Sequence, residues 1–426
     1  MRIVIAGAGI SGLTAALSLH AAGFRPVLFE AAGEPAPLGV GINLLPPAVR
    51  ELAELGLLEE LCAAGVAIDE LRYLTRYGRE IWREPRGLAA GYAWPQVAIH
   101  RGALHLLLLH EVRQRLGPEA VRFGAVLEDF AVEGGEVAVR FVDRRGGRPL
   151  ETVRADLLVG ADGIHSAVRR RFYPSEGMPK WNGVTLWRST TRLAAPLAGR
   201  SMIWAGHSRR KFVAYPIAHD PATGETLLNW VCDLKGEGGE TPPREDWNRK
   251  GDRRILLQRF ADWAWQGIDV PAIVGAAGDI FEFPMADRDP LPRWSFGPVT
   301  LIGDAAHPMY PIGSNGATQG VIDGRALAFH LARTGGVETA LAAYEAERRP
   351  ATSRIVLMNR ELGPDQVMEL AEQRAPTPAH DLDALLPMAE RAAIAAHYKR
   401  VAGVDPAALA ARASYSVSPK EPAAES

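Results

Sequence analysis

Residues 1–30 read MRIVIAGAGISGLTAALSLHAAGFRPVLFE. RIVIA is an apolar, β-branched run that predicts a buried strand. ISGLTAALSLHAAG has helical composition, and FRPVLFE returns to a strand. Gly7, Gly9 and Gly12 form G-x-G-x-x-G at the strand-to-helix turn, where unpaired N–H groups and the helix dipole can hold a pyrophosphate. Glu30 closes the second strand about 20 residues on, where a carboxylate accepts ribose hydroxyls and repels a phosphorylated ribose. Strand, glycine turn, helix, strand and acid in this order predict a βαβ dinucleotide fold, against the plainer reading of a glycine turn with a surface glutamate.

Working outward, two later stretches repeat strand-then-turn. In DLLVGADGIHSAVR (156–169) the strand ends at Asp162 and Gly163, and Asp162 is equally readable as a helix N-cap. In LIGDAAHPMYPIGSNGATQG (301–320) a carboxylate, Asp304, is followed by prolines and then by glycine-rich backbone that opens a helix. Bare backbone of this kind lets a ligand approach peptide N–H groups closely.

With 426 residues the chain exceeds the size of one growing core, so two domains are expected. ELRYLTRYGREIWRE (70–84) reads as a hairpin leaving the first domain, and IHRGALHLLLLHEVRQRLG (99–117) as a helix. GVTLWRSTTRL, SMIWAGHSRRKFVAYPI and ETLLNWVCDL, between 183 and 234, read as antiparallel strands of a second domain. DWNRKGDRRILLQRFADWAW (246–265) reads as a helix closing it. The expected division is therefore 1–70, 97–175 and 277–362 for a discontinuous nucleotide domain and 71–96 with 176–276 for a substrate domain. Residues 363–426 form a C-terminal helical segment whose end, SVSPKEPAAES, is polar enough to be disordered.

A formal net charge of −2 gives no global pull toward nucleic acid or anionic lipid. Cys62 and Cys232 are far apart and belong to no CxxC or Cys/His cluster, so neither a metal site nor a disulfide framework is expected, and a reducing, cytoplasmic setting fits. No charged-then-apolar leader and no apolar run long enough to span a bilayer is seen, so no membrane association is expected.

The three motifs together resemble the single-component flavoprotein aromatic hydroxylases with the fold of para-hydroxybenzoate hydroxylase. Within that family the text is most similar to the phenazine-hydroxylating branch, through PLGVGINLLPPAVRELAELGL, WREPRG, IHRGAL, NWVC, DWNR, FADW and DRDPLP, among other stretches scattered over residues 1 to about 360. The resemblance implies an α/β, Rossmann-like FAD-binding domain with an inserted antiparallel sheet. It implies that NADH or NADPH reduces the flavin, oxygen adds, and a C4a-hydroperoxide hydroxylates an aromatic substrate, possibly a phenazine or other aromatic carboxylate with decarboxylation. The donor would bind transiently, since no second G-x-G-x-x-G exists.

Carried over residue by residue, the resemblance places the FAD pyrophosphate at Gly7, Gly9, Ser11 and Gly12 and the adenosine ribose at Glu30. Val40 and Gly41 meet the isoalloxazine edge through backbone, Arg101 the ribityl and phosphate region, Val126 the adenine, and Asp304 a ribityl hydroxyl, with Asp162 beside them. Gly316, Ala317 and Thr318 turn N–H groups toward flavin N1 and O2. Trp187, Tyr215, Trp230 and Pro311 are the candidate substrate contacts, and Arg188, Arg192 and Arg209 candidate partners for a carboxylate. The catalytic residues are left unknown.

Blander readings stand beside these. The sheet tryptophans can be core, Arg101 a surface ion-pair partner and His307 a hydrogen-bonded structural histidine. WAWQGIDVP (263–271) resembles a flavin-halogenase motif, but its Ile and Pro are at the wrong offsets and no lysine precedes Lys180. The remaining alternatives are an FAD-dependent reductase or dehydrogenase without oxygen insertion, and a flavin-free escort protein on the same fold. A monomer or a homodimer is equally compatible.

Overall fold

A computed structural model describes residues 1–34, 40–194, 199–236, 249–265 and 267–417. The opening segment forms the strand Arg2–Ala6, the helix Ile10–Ala21 and the strand Arg25–Glu30. These strands sit in a five-stranded parallel sheet ordered Val299–Leu301, Leu157–Gly160, Arg2–Ala6, Arg25–Glu30, Val121–Phe123. Parallel strands are covered on both faces and read as continuous apolar runs, as VTL and LLVG do. The helix Asn315–Arg333 crosses Ile10–Ala21 so tightly that a Cβ on Gly324 would lie 2.8 Å from the Ala15 nitrogen. Ala6, Gly160 and Leu301 stand side by side in register, so all three chemical motifs leave this sheet at the C-terminal end of its strands.

The second sheet has seven strands, ordered Phe281–Asp287, Lys180–Leu193, Thr226–Lys235, Arg210–His219, Ser201–His207, Glu70–Leu74, Glu80–Pro85. Its pairings are antiparallel except for Ser201–His207 beside Glu70–Leu74. The hairpin expected over 70–84 is present, with Tyr73 opposite Trp82. Phe281–Asp287 was expected in the nucleotide domain. It pairs instead with Lys180–Leu193 (Leu186 opposite Phe283), because its alternating FEFPM completes the edge of that sheet.

The expected helix over 246–265 is shorter. Residues 246–248 lie outside the described residues, and within the rest only Arg253–Arg259 is helical, started by the Asp252 carboxylate accepting from the Arg254 N–H. Trp263 lies beyond the helix end and is fully buried, and Trp265 belongs to a two-residue strand.

The C-terminal segment is helical over Gln366–Arg374, Leu382–Leu385, Met388–Ala402 and Pro406–Ala411. It is held to the sheet by a buried ion pair, Lys211 Nζ to Asp365 at 2.6 Å, with the sheet's own Asp233 3.0 Å from the same ammonium. Of the end expected to be disordered, Ser416 is anchored to Glu54 and Arg325, and residues 418–426 lie outside the described residues. No helix is long and apolar enough to cross a membrane, and no cluster of metal-ligating side chains occurs, among the described residues.

Candidate active site

The three glycines of the first turn have different reasons to be glycine. Gly7 has φ +103°, and a Cβ there would lie 2.4 Å from the Ala161 carbonyl oxygen; a Cβ on Gly12 would lie 2.1 Å from the Gly7 oxygen. Both serve the chain. A Cβ on Gly9 would meet nothing within 4 Å, so its absence leaves space on the outer side, at a helix start that has no side-chain cap. That is the shape of an anion cradle. Ser11, placed by sequence at the pyrophosphate, has its hydroxyl turned inward: a Cβ on Gly303 or Gly320 would lie 2.3 or 2.1 Å from Ser11 Oγ. Only the backbone of Ser11 is left for a phosphate.

Glu30 is half-buried, and its two oxygens accept from the N–H groups of Ala8 (2.8 Å) and Ala32 (2.7 Å). The carboxylate is thus oriented, with lone pairs left for ribose hydroxyls. Val126 lies in the adjoining hairpin, opposite Val142.

Asp162 resolves toward the capping alternative. Its carboxylate accepts from the Ser166 hydroxyl and from the N–H groups of Ala167 (2.7 Å) and Val168 (3.3 Å). Both oxygens are engaged with the start of the helix Ala167–Phe172, so a cofactor would meet the neighbouring backbone rather than this side chain. Sequence reading missed Arg169, the buried clamp one turn on, which donates to the carbonyls of Ala305 (3.2 Å) and Ala306 (2.9 Å) and ties this loop to the Gly303–Asp304 loop. Nothing in a single arginine within RRRF signals that partner.

At Gly303 the backbone turns with φ +57° and delivers Asp304 to a cleft. Its side chain is reachable by solvent yet surrounded by protein, as is Arg101. Burial pushes the Asp304 carboxyl above its usual range against the pull of His307 and Arg101. Arg101 opens the helix Arg101–Leu116, its N–H bonded to the Val40 oxygen at 2.9 Å. This is a cleft-lining position, not a surface ion pair. His307 is the structural histidine of the bland reading: Nε2 bonds the buried Asp323, which also accepts from the Gly303 N–H (2.9 Å) and Arg348 (2.9 Å).

The glycine-rich loop ends in two left-handed residues, Gly313 (φ +72°) and Ser314 (φ +59°), before the helix Asn315–Arg333. That helix start carries no side-chain cap, and a Cβ on Gly316 would meet nothing within 4 Å. The N–H groups of Gly316 and Ala317 therefore face open space with a positive dipole end, which suits charge developing on a reduced flavin ring. Thr318 is buried and uses its hydroxyl to accept from the Leu45 N–H (3.2 Å). Gly41 departs from expectation, since its N–H is taken by Asn229 Oδ1 (2.6 Å) and a Cβ there would strike Asn229. Val40 is the nearer candidate for a flavin edge.

Strand parity separates the substrate candidates. Trp187 and Trp230 point to the far face, where they pack with Phe212, Phe260 and Trp263 under two short helices; they are core and not substrate walls. Tyr215, Arg188 and Asn229 share the opposite face, where Arg188 reaches the Gly41 oxygen (3.4 Å) and the Tyr215 hydroxyl is within bonding reach of Arg188, Asn43 and Asn229. Arg192 and Arg209 are exposed. Pro311 is exposed between the buried Tyr310 and Ile312, which pack on Leu186 and Val231 of that same face. The cleft thus lies between the sheet edge bearing Asp304 and the Tyr215 face of the second sheet.

A nucleotide cradle, a ribose acid and an uncapped helix aimed into a cleft under an antiparallel sheet define a flavoprotein of the aromatic-hydroxylase fold. The chain belongs to the FAD-binding domain family, whose model matches residues 1–358. It is 46% identical over 362 residues to the phenazine 1,6-dicarboxylic acid hydroxylase of Lysobacter antibioticus, covering 84% of this chain and 89% of that protein. It is 32% identical over 366 residues to 3-hydroxybenzoate 6-hydroxylase 1 of Aquipseudomonas alcaligenes (84% and 88% covered). A salicylate hydroxylase substrate complex superposes with a TM-score of 0.74 at 22% identity, over 98% of each chain. The protein is an FAD-dependent aromatic monooxygenase that uses NAD(P)H and dioxygen, and neither the reductase nor the escort alternative is favoured.

Asp304→Ala is expected to weaken FAD binding by about 1.5–3 kcal/mol, one charge-assisted hydrogen bond, with little effect on folding. Flavin titration of the apoprotein reads this directly, and wild-type affinity in the variant would remove Asp304 from the cofactor site.

Proposed function

We propose that the substrate is a planar aromatic carboxylate of the phenazine class, hydroxylated at or beside the carbon bearing the carboxylate. The observation that carries this is the 46% identity, over most of both chains, to a phenazine dicarboxylate hydroxylase. Where the two carbons coincide, the acid, NAD(P)H, a proton and dioxygen give the phenol, carbon dioxide, NAD(P)+ and water.

When bound, FAD supplies hydride acceptance from the nicotinamide and activation of dioxygen. The protein's part is binding and orientation. Backbone at Gly9 and Ser11 would hold the pyrophosphate, on a turn that Gly7 and Gly12 allow to form; Glu30 would take the ribose, Val126 the adenine, and Asp304 with Arg101 the ribityl chain. Gly316, Ala317 and Thr318 present the helix start to the pyrimidine edge, with Val40 opposite. Tyr215, Arg188 and the Tyr310–Ile312 turn wall the ring site and exclude water. Two free cysteines fit a cytoplasmic setting, and either a monomer or a homodimer accommodates a site built from one chain.

Oxygen uptake and mass spectrometry with phenazine-1-carboxylate and phenazine-1,6-dicarboxylate test the reading. The expected result is oxygen consumption coupled to a hydroxylated product, with flavin reduction accelerated by the acid. Turnover confined to neutral monocyclic phenols would overturn the substrate assignment and leave the monooxygenase class intact.

A further inference from the structure

The turn that opens the helix Asn315–Arg333 is held by a buried chain of hydrogen bonds that runs from Arg348 through the C-terminal segment to the Tyr310 carbonyl. Arg348 Nη2 donates to Gln319 Oε1 (2.6 Å), Gln319 Nε2 to Asn315 Oδ1 (3.3 Å), and Asn315 Nδ2 to the Tyr398 hydroxyl (2.7 Å). The Tyr398 O–H in turn donates to Asn359 Oδ1 (3.3 Å), whose amide nitrogen donates to the Tyr310 carbonyl (3.1 Å). An arginine is a donor only, so it fixes which way each amide points, and Tyr398 must accept on one side and donate on the other. Asn315, Gln319 and Asn359 are at most 3% exposed. No buried side-chain nitrogen or oxygen of theirs, or of Tyr398, lacks a partner.

The backbone around Tyr398 is shaped for this contact. A Cβ on Gly313 would lie 1.9 Å from the Tyr398 hydroxyl oxygen, and one on Gly363 would lie 3.1 Å from the same ring. Both glycines make room for the tyrosine. Ser314, next in the chain, is left-handed at φ +59° in spite of its side chain, a conformation that persists only where its surroundings enforce it. Asn315 helps to enforce it, since its Nδ2 also reaches the Gly313 carbonyl (3.2 Å), and one side-chain amide thereby joins the turn to the Tyr398 hydroxyl. Burial pushes the Tyr398 phenol up, so the hydroxyl keeps the proton it donates to Asn359. Tyr398 stands in the helix Met388–Ala402, beyond residue 358, where the family model ends.

We propose that Tyr398 is a positioning residue of the flavin site: through Asn315 its hydroxyl holds the Gly313–Ser314 turn so that the Gly316 and Ala317 N–H groups stay aimed at the cofactor's pyrimidine edge, and reduced flavin gains more from this than oxidised flavin. The inference rests on the reading above that this helix start meets the flavin ring. The asymmetry follows from charge. Peptide dipoles at the helix start interact with the negative charge that reduction places on the ring, and that interaction falls as they turn away. The oxidised ring is neutral and is held mainly by contact, which tolerates a small rotation. A segment outside the family model thus tunes the cofactor's potential through the loop.

The test compares the full-length wild type with Tyr398→Phe, which keeps the ring and removes only the hydroxyl. It uses FAD titration of the apoprotein, thermal unfolding without flavin, and equilibrium reduction of the bound flavin against a reference dye. Tyr398→Phe is expected to lower affinity for reduced FAD about tenfold more than for oxidised FAD, read for this two-electron couple as a potential about 30 mV more negative. A hydroxyl that serves only the fold would lower the apoprotein's unfolding transition and leave the potential at the wild-type value, which would overturn the proposal. Asn315→Leu breaks the same link from the loop side, is expected to give the same shift, and decides the matter where Tyr398→Phe does not fold. If neither folds, the contact is structural and the proposal falls. Gly316→Val tests the underlying reading, since its side chain enters open space and is expected to weaken FAD about tenfold. Unchanged FAD affinity and potential in Gly316→Val would show that this helix start does not meet the flavin and would overturn both. A wild-type potential in Tyr398→Phe beside weakened FAD in Gly316→Val would overturn the positioning role alone.

Discussion

Gly9→Val is expected to lower FAD affinity about a hundredfold while leaving the apoprotein's unfolding transition where it is. Gly9 has φ −72° and ψ −177°, open to any residue, and a Cβ there strikes no protein atom. The side chain instead fills the space where the pyrophosphate rests on peptide N–H groups. Losing two charge-assisted hydrogen bonds costs about 3 kcal/mol, which is the stated factor. Gly7→Ala and Gly12→Ala should behave in the opposite way, destabilising the apoprotein itself, since one is left-handed and clashes with Ala161 and the other clashes with Gly7. Thermal unfolding without flavin, set beside flavin titration, separates the three. Destabilisation of the apoprotein by Gly9→Val would refute the cradle.

Arg348→Met should cost about 3 kcal/mol of stability. Arg348 is buried, bonds Asp323 at 2.9 Å and Gln319 at 2.6 Å, and faces His307 across the same carboxylate. Burial alone would raise the Asp323 carboxyl, but His307, Arg348 and the Gly303 N–H hold it down at about 2. A depressed carboxylate contributes stability that is full above its unfolded value near 4 and is lost as pH falls toward 2. The wild type should therefore lose roughly 2 kcal/mol over that window from this group, and Asp323→Asn should flatten that part of the profile. Urea unfolding at pH 7 and at pH 3 with FAD in excess measures both. An Asp323→Asn variant with an unchanged acid limb would show that other carboxylates govern it.

Much of the site was readable because its signals are local. The strand, glycine turn, helix and acid of residues 2–30 are a matter of spacing, and Asp304 with Gly313 and Gly316 announces itself through residues that only close backbone approach requires. What was not readable depended on neighbours distant in the chain. Ser11 points inward because Gly303 and Gly320, about 300 residues later, leave it room. Trp187 and Trp230 looked like ring-facing walls, yet both faces of that sheet are covered, so the alternation of apolar and polar residues that normally assigns a face is blurred. The short helix at Arg253–Arg259 was overextended because ILLQRFADWAW keeps a helical apolar rhythm after the chain has already turned. Arg169 gave no sign, since an arginine in a helix reads first as solvated surface.

The five-stranded parallel sheet is completed by Val299–Leu301 pairing with Leu157–Gly160. During synthesis at about 5–20 residues per second, the first strands wait about 15–60 s for that partner to leave the ribosome. For the last stretch of that wait, about 140 residues or roughly 7–28 s, the edge of Leu157–Gly160 stands unpaired beside a hydrophobic layer that the helix Asn315–Arg333 has not yet covered. Sequence-distant pairing of this kind slows folding and lengthens exposure to aggregation. The yield of folded protein in a producing cell is thus set by how well nascent chains are protected over their first 300 residues, and slower growth or added chaperone should raise it more than added riboflavin.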